Sequence, residues 1–151
     1  KFELRTKISK TKGLADRDVK RVMIIIHGSG AVDMDGTFAL VAQNKKGVFL
    51  YRTLAHSLEK SGVVVIRYHK RPYEWREKIM KDKSVLGSEA FKKGQQTPLS
   101  DLVKDVEAYT KYAQKRFPQA QIGLLGHSQG TFIAVWTPSL LSTKTATRRS
   151  H

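Results

Sequence analysis

The chain has 151 residues, of which 40% are hydrophobic and 9% aromatic, so it suits one domain with a buried core and is too apolar for a disordered chain. Its 28 lysines and arginines against 13 acidic residues give a net charge of +15, and the absence of cysteine excludes disulfides and thiol chemistry. The basic residues are scattered without a nucleic-acid motif, so we predict a solubilising surface and no specific nucleic-acid partner. No apolar run reaches the length of a membrane span, and with no signal or anchor visible we favour the cytoplasm.

The first half of the sequence predicts an edge strand, followed along the chain by a strand–helix–strand unit. Residues 2–9 alternate between charged and apolar and predict the edge strand. The β-branched apolar run RVMIIIH, residues 21–27, is typical of a buried parallel strand. Leucines spaced by four within residues 48–60 predict a helix that Gly62 caps, and VVVIRYH, residues 63–69, predicts the next buried strand. This order indicates a βαβ unit and hence a parallel sheet.

A long polar segment separates this unit from the next helix. Residues 70–97 exceed an ordinary connection and predict a flap with at most a pair of short helical fragments. We expect Tyr73 and Trp75 of this flap to line an acyl pocket. Thr97 and Pro98 predict the N-cap and first residue of a helix with a clear apolar period.

The last part of the sequence predicts one more strand and a helix, followed by a segment of different composition. QIGLLGHS, residues 121–128, is a short apolar strand that leads directly into a helix beginning QGTFIAVW. From Thr137 onward the sequence is rich in Ser, Thr and Arg and has no apolar period. We therefore predict an α/β domain over residues 1–136 and an irregular tail over residues 137–151.

The segment Gly126-His127-Ser128-Gln129-Gly130 lies between the predicted strand and helix. This is the arrangement of a nucleophile elbow, in which a serine occupies a strained turn. Glycines are needed two residues before and after the serine because side chains there would collide with backbone. The free N–H groups and the dipole of the following helix favour negative charge beside the serine. The motif predicts Ser128 as a nucleophile, against the alternative of a tight turn with an idle serine.

Acyl transfer also needs donors for the oxyanion of its tetrahedral intermediate. The N–H of Gln129, at the start of the helix, is the first candidate. The second is the N–H of Ser29 or Gly30, in the sequence His-Gly-Ser-Gly that follows the strand at residues 21–27. Two segments far apart in the chain are thus predicted to meet in one site.

The stretches MIIIHGSGAVDMDGT, VVVIRYHKR and IGLLGHSQG together resemble the N-terminal part of an α/β-hydrolase of the serine esterase or peptidase type. The resemblance implies a three-layer sandwich, with a mostly parallel sheet and helices on both faces, here in truncated form. It implies a lipolytic enzyme that cleaves carboxylic esters, with short acyl chains favoured, through an acyl-enzyme on Ser128. Such chemistry needs no cofactor and no metal.

The triad acid and base are not evident. In this family the order is Ser, then Asp or Glu, then His, yet no acidic residue follows Glu107 and the last histidine is His151. His69, at the end of a predicted strand where α/β sites gather, and His151 are the candidate bases. We expect His127 to point away from the attacking oxygen and His27 to prop its loop by hydrogen bonding.

Several alternatives stay open. The chain could be a catalytically weak or inactive hydrolase-like module, or a peptidase, thioesterase or acyltransferase of the same fold. A nucleotide-binding domain is disfavoured because Asp33 stands where G-x-G-x-x-G needs its third glycine. Asp33 and Asp35 predict an ordinary turn, since they offer too few ligands for calcium. In a truncated sheet the strand at residues 121–126 would lie at an open edge beside Phe132 and Trp136, which predicts a homo-oligomer.

Overall fold

The computed structural model describes residues 3–38, 48–96 and 99–146, with residues 138–146 as backbone only. Its main sheet has four strands in the spatial order β1-β5-β2-β6. β1 is antiparallel to β5, whereas β5, β2 and β6 are mutually parallel. A two-stranded antiparallel ribbon pairs β3 with β4. The strands are β1 Thr6–Ser9, β2 Arg21–Ile26, β3 Thr37–Phe38, β4 Val48–Phe49, β5 Val64–Tyr68 and β6 Gln121–Gly126.

Five α-helices accompany these strands in the described part of the chain, together with short 3-10 turns at Asp16–Asp18 and Lys83–Gly87. The helix expected within residues 48–60 is confirmed, and Gly62 follows it with a φ of +73°, in the left-handed region. Thr97 and Pro98, the expected N-cap pair, lie outside the described residues. The helices are α1 Leu50–Lys60, α2 Arg71–Lys81, α3 Glu89–Gln95, α4 Leu99–Arg116 and α5 Gln129–Ala146.

The central strands are covered on both faces. On one face, Ile25 and Val65 pack with Tyr51 and Ala55 of α1. On the other face, residues of the same strands pack against Ala113 of α4, and Ile26 packs against residues of α4 and α5. A strand that is buried on both faces has apolar residues at successive positions, and the continuous β-branched runs of these strands provide them. The predicted three-layer α/β fold, with a mostly parallel sheet, is confirmed.

The flap is more helical than the sequence indicates. Residues 71–95 form α2, a 3-10 turn and α3 instead of short fragments. Ser88 caps α3 because its Oγ accepts a hydrogen bond from Phe91 N at 3.2 Å. Arg71 anchors α2 to α4 through a bidentate pair with Asp105, at 2.6 and 2.7 Å. Caps and ion pairs therefore hold these helices where apolar periodicity is weak.

The last helix also differs from expectation. The segment from Thr137 is predicted to be an irregular tail, whereas α5 continues through it to Ala146. Helix propagation is easier than nucleation, so a helix begun at Gln129 extends into residues that would not start one. His151 and residues 147–150 lie outside the described residues. The division of the chain at residue 136 stays a prediction.

The strand β6 lies at an edge of the main sheet, as expected. The helix beside it, α5, exposes three large apolar side chains within its first two turns: Phe132 is 74% exposed, Val135 71% and Trp136 45%. None of the described helices combines the length and the apolarity that crossing a bilayer demands.

Candidate active site

Ser128 lies in a sharp turn between β6 and α5. Its φ is +53°, and it is the one non-glycine residue with a positive φ in the described ranges. β6 ends at Gly126 and α5 begins at Gln129, so only His127 and Ser128 make the turn. The serine is exposed, while the residues of β2 beneath it are buried. A strained conformation of this kind persists only where the surrounding structure enforces it.

The two glycines that flank the serine have no room for a side chain. A Cβ on Gly126 would lie 2.5 Å from the carbonyl carbon of Gly130 and 2.6 Å from Thr131 Cα. A Cβ on Gly130 would lie 2.8 Å from the carbonyl oxygen of His27. All these neighbours are backbone atoms that cannot move aside independently. The close approach of β6 to the first turn of α5 therefore requires glycine at position 126, and the close approach of α5 to the end of β2 requires glycine at position 130.

The pairing of β2 with β6 brings the Gly28–Gly30 loop beside Ser128. The two strands align Ile26 with Gly126, and His127 N donates to Ile26 O at 3.0 Å. A Cβ on Gly28 would lie 3.2 Å from Ser128 Cβ. The two segments that were predicted to carry the oxyanion donors are thus in contact. Gln129 is the first residue of α5, so its N–H has no acceptor within that helix, and Ser29 and Gly30 are both exposed.

The hydroxyl of Tyr51, which the sequence analysis did not single out, links the two halves of the site. Gly28 N donates to Tyr51 Oη at 3.3 Å, and Tyr51 Oη lies 2.9 Å from His127 Nδ1. Since Gly28 N–H already donates to this oxygen, the hydroxyl proton is available for Nδ1 of the imidazole. His127 is thereby held against α1.

Lys70 is the second residue that sequence reasoning missed. It follows His69, the first residue after the buried strand β5, and only 4% of its surface is exposed. Its Nζ donates to Gly28 O at 2.6 Å and to Gln129 Oε1 at 2.8 Å. Burial lowers the pKa of this ammonium to about 8.

The candidate base His69 is also buried, and its contacts lie on the side of α2. Its Nδ1 is 3.3 Å from Glu74 Oε1 without forming a hydrogen bond, and its ring meets that of Tyr73 edge-on. Burial is the main cause of a lowered pKa of His69. The Glu74 carboxylate accepts hydrogen bonds from Arg5 N and Nε. These contacts do not bring His69 to Ser128, and the other candidate, His151, lies outside the described residues.

His27, just before the Gly28–Gly30 loop, contacts its neighbours through packing of its ring. Its ring meets Tyr51 and Tyr68 edge-on, with centroids 5.2 and 4.8 Å away. Neither ring nitrogen meets a hydrogen-bond partner in the described part of the chain, so packing replaces the hydrogen bond expected from sequence. Burial lowers the pKa of His27 to about 3, which keeps the ring neutral.

The two aspartates after the loop stabilise a turn, as predicted. Asp33 Oδ1 accepts hydrogen bonds from the N–H groups of Asp35 and Thr37. The Asp35 carboxylate pairs with the buried guanidinium of Arg67, and its carbonyl oxygen accepts from Tyr51 N at 3.1 Å. Within the described ranges, no group of three or more His, Asp or Glu side chains could hold a metal ion.

A cavity of about 390 Å³ adjoins the loop that carries Ser29 and Gly30. Ala31, the next residue, lines it together with Trp75 of α2 and Phe91 of α3. Trp75 therefore lines this cavity, whereas the ring of Tyr73 packs on His69.

No protein-family model matches the chain. Esterase EstD of Thermotoga maritima is 30% identical over 118 residues, which are 78% of this chain and 23% of EstD. The structure of Est1E from Butyrivibrio proteoclasticus with ferulic acid bound matches 93% of this chain and 45% of Est1E, with a TM-score of 0.57 and 16% identity. The chain therefore spans less than a quarter of EstD and less than half of Est1E.

Proposed function

We propose that the chain, which is 30% identical to an esterase over 118 residues and shares the fold of a second one, is part of an α/β-hydrolase and carries the nucleophile and the oxyanion hole of a serine carboxylesterase. The observation that carries the proposal is the backbone of Ser128, an exposed residue whose φ of +53° places it in a left-handed turn between β6 and α5. An idle serine would relax to an ordinary turn, because a left-handed conformation costs a non-glycine residue about 1–2 kcal/mol.

The proposed reaction is nucleophilic acyl transfer. Ser128 Oγ attacks the ester carbonyl carbon while its proton passes to a base, and the carbonyl oxygen becomes an oxyanion. The N–H of Gln129 and that of Ser29 or Gly30 would donate to this oxyanion. Collapse of the intermediate expels the alcohol, which takes up the proton, and leaves an acyl-enzyme that water hydrolyses. The identity of the base stays open in this proposal: of the two candidates, His69 contacts Glu74 and Tyr73 on the side of α2, and His151 lies outside the described residues.

We propose esters with short acyl chains as substrates. The support is the cavity beside Ala31, whose volume of about 390 Å³ lies near the lower end of the range of small-molecule pockets. Trp75 and Phe91 give it an aromatic wall, with rings 5.5 Å apart and nearly perpendicular. A small apolar acyl group would fit this space, and longer chains would extend beyond it.

The test uses a fluorophosphonate probe and a short aryl ester on the wild type, Ser128→Ala and Ser57→Ala. Ser57 is exposed on α1 and supplies the same chemical change away from the site. We expect stoichiometric labelling and ester cleavage in the wild type and in Ser57→Ala, and neither in Ser128→Ala. Equal rates in all three proteins would show that any cleavage comes from surface lysines or histidines. Absence of labelling in the wild type would favour the inactive hydrolase-like module.

We propose further that two copies of the chain associate through β6 and α5. The support is the outer edge of β6, which pairs with no strand among the described residues, beside the exposed side chains of Phe132 and Trp136. Sedimentation of the wild type should show a dimer or larger assembly, which Phe132→Asp should dissociate. Lys104→Asp, on the exposed part of α4, is the control for a new surface carboxylate. A wild type that sediments as a monomer would contradict the proposal.

A further inference from the structure

A buried ammonium ion connects the two segments that carry the candidate oxyanion donors. Lys70 Nζ donates to Gly28 O at 2.6 Å and to Gln129 Oε1 at 2.8 Å, and both acceptors are uncharged. Burying a cation against neutral acceptors costs stability that a well-packed apolar side chain would not. The position of Lys70 therefore calls for an explanation beyond packing.

The geometry of the peptide group supplies one. The carbonyl and the N–H of a trans peptide lie in one plane and point in opposite directions. Lys70 binds the oxygen of the Gly28–Ser29 peptide from the buried side, so the N–H of Ser29 is directed away from the lysine. Ser29 and Ser128 are both exposed, and Gly28 lies against the Cβ of Ser128. The lysine thus sets the direction of one particular amide beside the nucleophile.

The same contact strengthens that amide as a donor. A hydrogen bond from a charged group to a carbonyl oxygen polarises the whole peptide unit, and this makes its N–H a better donor. The second contact of Lys70, to the side chain of Gln129, holds the residue whose N–H is the other candidate donor. One side chain therefore orients both halves of the oxyanion hole.

We propose that Lys70 is a positioning residue that fixes and polarises the Gly28–Ser29 peptide, so that the N–H of Ser29, rather than that of Gly30, is the second oxyanion donor. The inference rests on the proposed serine esterase function. It assigns Lys70 a role through the backbone, with no contact to the substrate required.

The first experiment compares Lys70→Met with Lys111→Met, which makes the same substitution at an exposed site on α4. We expect Lys70→Met to slow fluorophosphonate labelling of Ser128 about tenfold to hundredfold, approaching the effect of losing one oxyanion donor. Thermal unfolding of Lys70→Met should occur close to the wild-type temperature, because removal of a buried cation offsets the loss of its hydrogen bonds to Gly28 O and Gln129 Oε1. A merely structural lysine would instead lose stability and labelling together.

The second experiment follows the Ser29 amide by nitrogen–proton NMR as the pH is raised. Lys70 titrates near pH 8 because of its burial, so the Ser29 resonance should shift with that midpoint in the wild type and not in Lys70→Met. The other titratable groups near Gly28 and Lys70 include His27 and Asp33 after β2, Tyr51 from α1, His69 after β5 and His127 after β6. A shift that persists in Lys70→Met belongs to one of these groups and counts against the inference.

The outcomes separate this inference from the proposed function. A wild type that does not label removes the esterase, and with it the oxyanion role of Lys70, whatever the NMR titration shows. A wild type that labels, with Lys70→Met labelling as fast as Lys111→Met, overturns the inference alone. Should Lys70→Met fail to fold, Gln129→Met tests the same point, because it keeps the backbone N–H and removes one anchor of the ammonium. It should slow labelling, and an unchanged rate would overturn the inference.

Discussion

The strain at Ser128 can be measured without any assay of activity. In the left-handed region, which includes the φ of +53° at Ser128, glycine avoids a penalty of about 1–2 kcal/mol that alanine must bear. Glycine also loses about 0.5–1 kcal/mol through the greater freedom of its unfolded chain. The difference leaves Ser128→Gly more stable than Ser128→Ala by up to about 1.5 kcal/mol.

An ordinary helical serine should show the opposite order. Ser57 lies within α1, where glycine is less favourable than alanine by about 1 kcal/mol. Urea unfolding of the four variants gives the free energies directly, and both sites are exposed, so lost packing contributes little. The sign of the glycine–alanine difference should reverse between the two sites. If glycine destabilises relative to alanine at both, Ser128 is not strained and the argument for an elbow fails.

Three further outcomes are expected. Gly130→Ala should lower the free energy of unfolding in urea by about 3 kcal/mol or more, because its Cβ would collide with the carbonyl oxygen of Ile26, whereas Gly13→Ala, with a φ of +83° and open space around it, should lower it by about 1–2 kcal/mol. Tyr51→Phe keeps the ring but removes the hydroxyl that joins the two halves of the site, so calorimetry should show a loss of about 1–3 kcal/mol. Burial alone would raise the pKa of Glu74, but hydrogen bonds from Arg5 hold this pKa below its ordinary value of 4.5. The free energy of unfolding should therefore fall as the pH drops below about 4.5, and it should fall less steeply in Glu74→Gln.

The flap shows why sequence reasoning stopped short in one region. Its helices α2 and α3 depend on the Ser88 cap and on the pair between Arg71 and Asp105, which lies on another helix. Apolar periodicity is the main signal for a helix, and it is weak where a helix is held by partners distant in the chain. The last turns of α5 escaped prediction for a related reason, since they extend a helix that began upstream.

The candidate site likewise has one part that the sequence predicts and another part that only the tertiary structure brings together. Ser128 and its flanking glycines were visible because an elbow is a local structure, and its steric demands fall on residues two positions away. Tyr51 and Lys70 were not visible, because each reaches Gly28 from a different element. Their roles follow from the packing of α1 and β5 around the end of β2, which no local pattern encodes.

The amino-acid sequence by itself determined the four strands of the main sheet, helices α1 and α4, the start of α5 and the glycine-flanked serine, because hydrophobic period and backbone sterics act over a few neighbouring residues. The tertiary structure decided that β2 lies between β5 and β6, which brings Gly28 against Ser128. It also decided that a buried lysine holds the carbonyl of Gly28 and the side chain of Gln129. The physical reason is that strand order and side-chain burial depend on the free energy of the whole packed core, to which residues far apart in the chain contribute together.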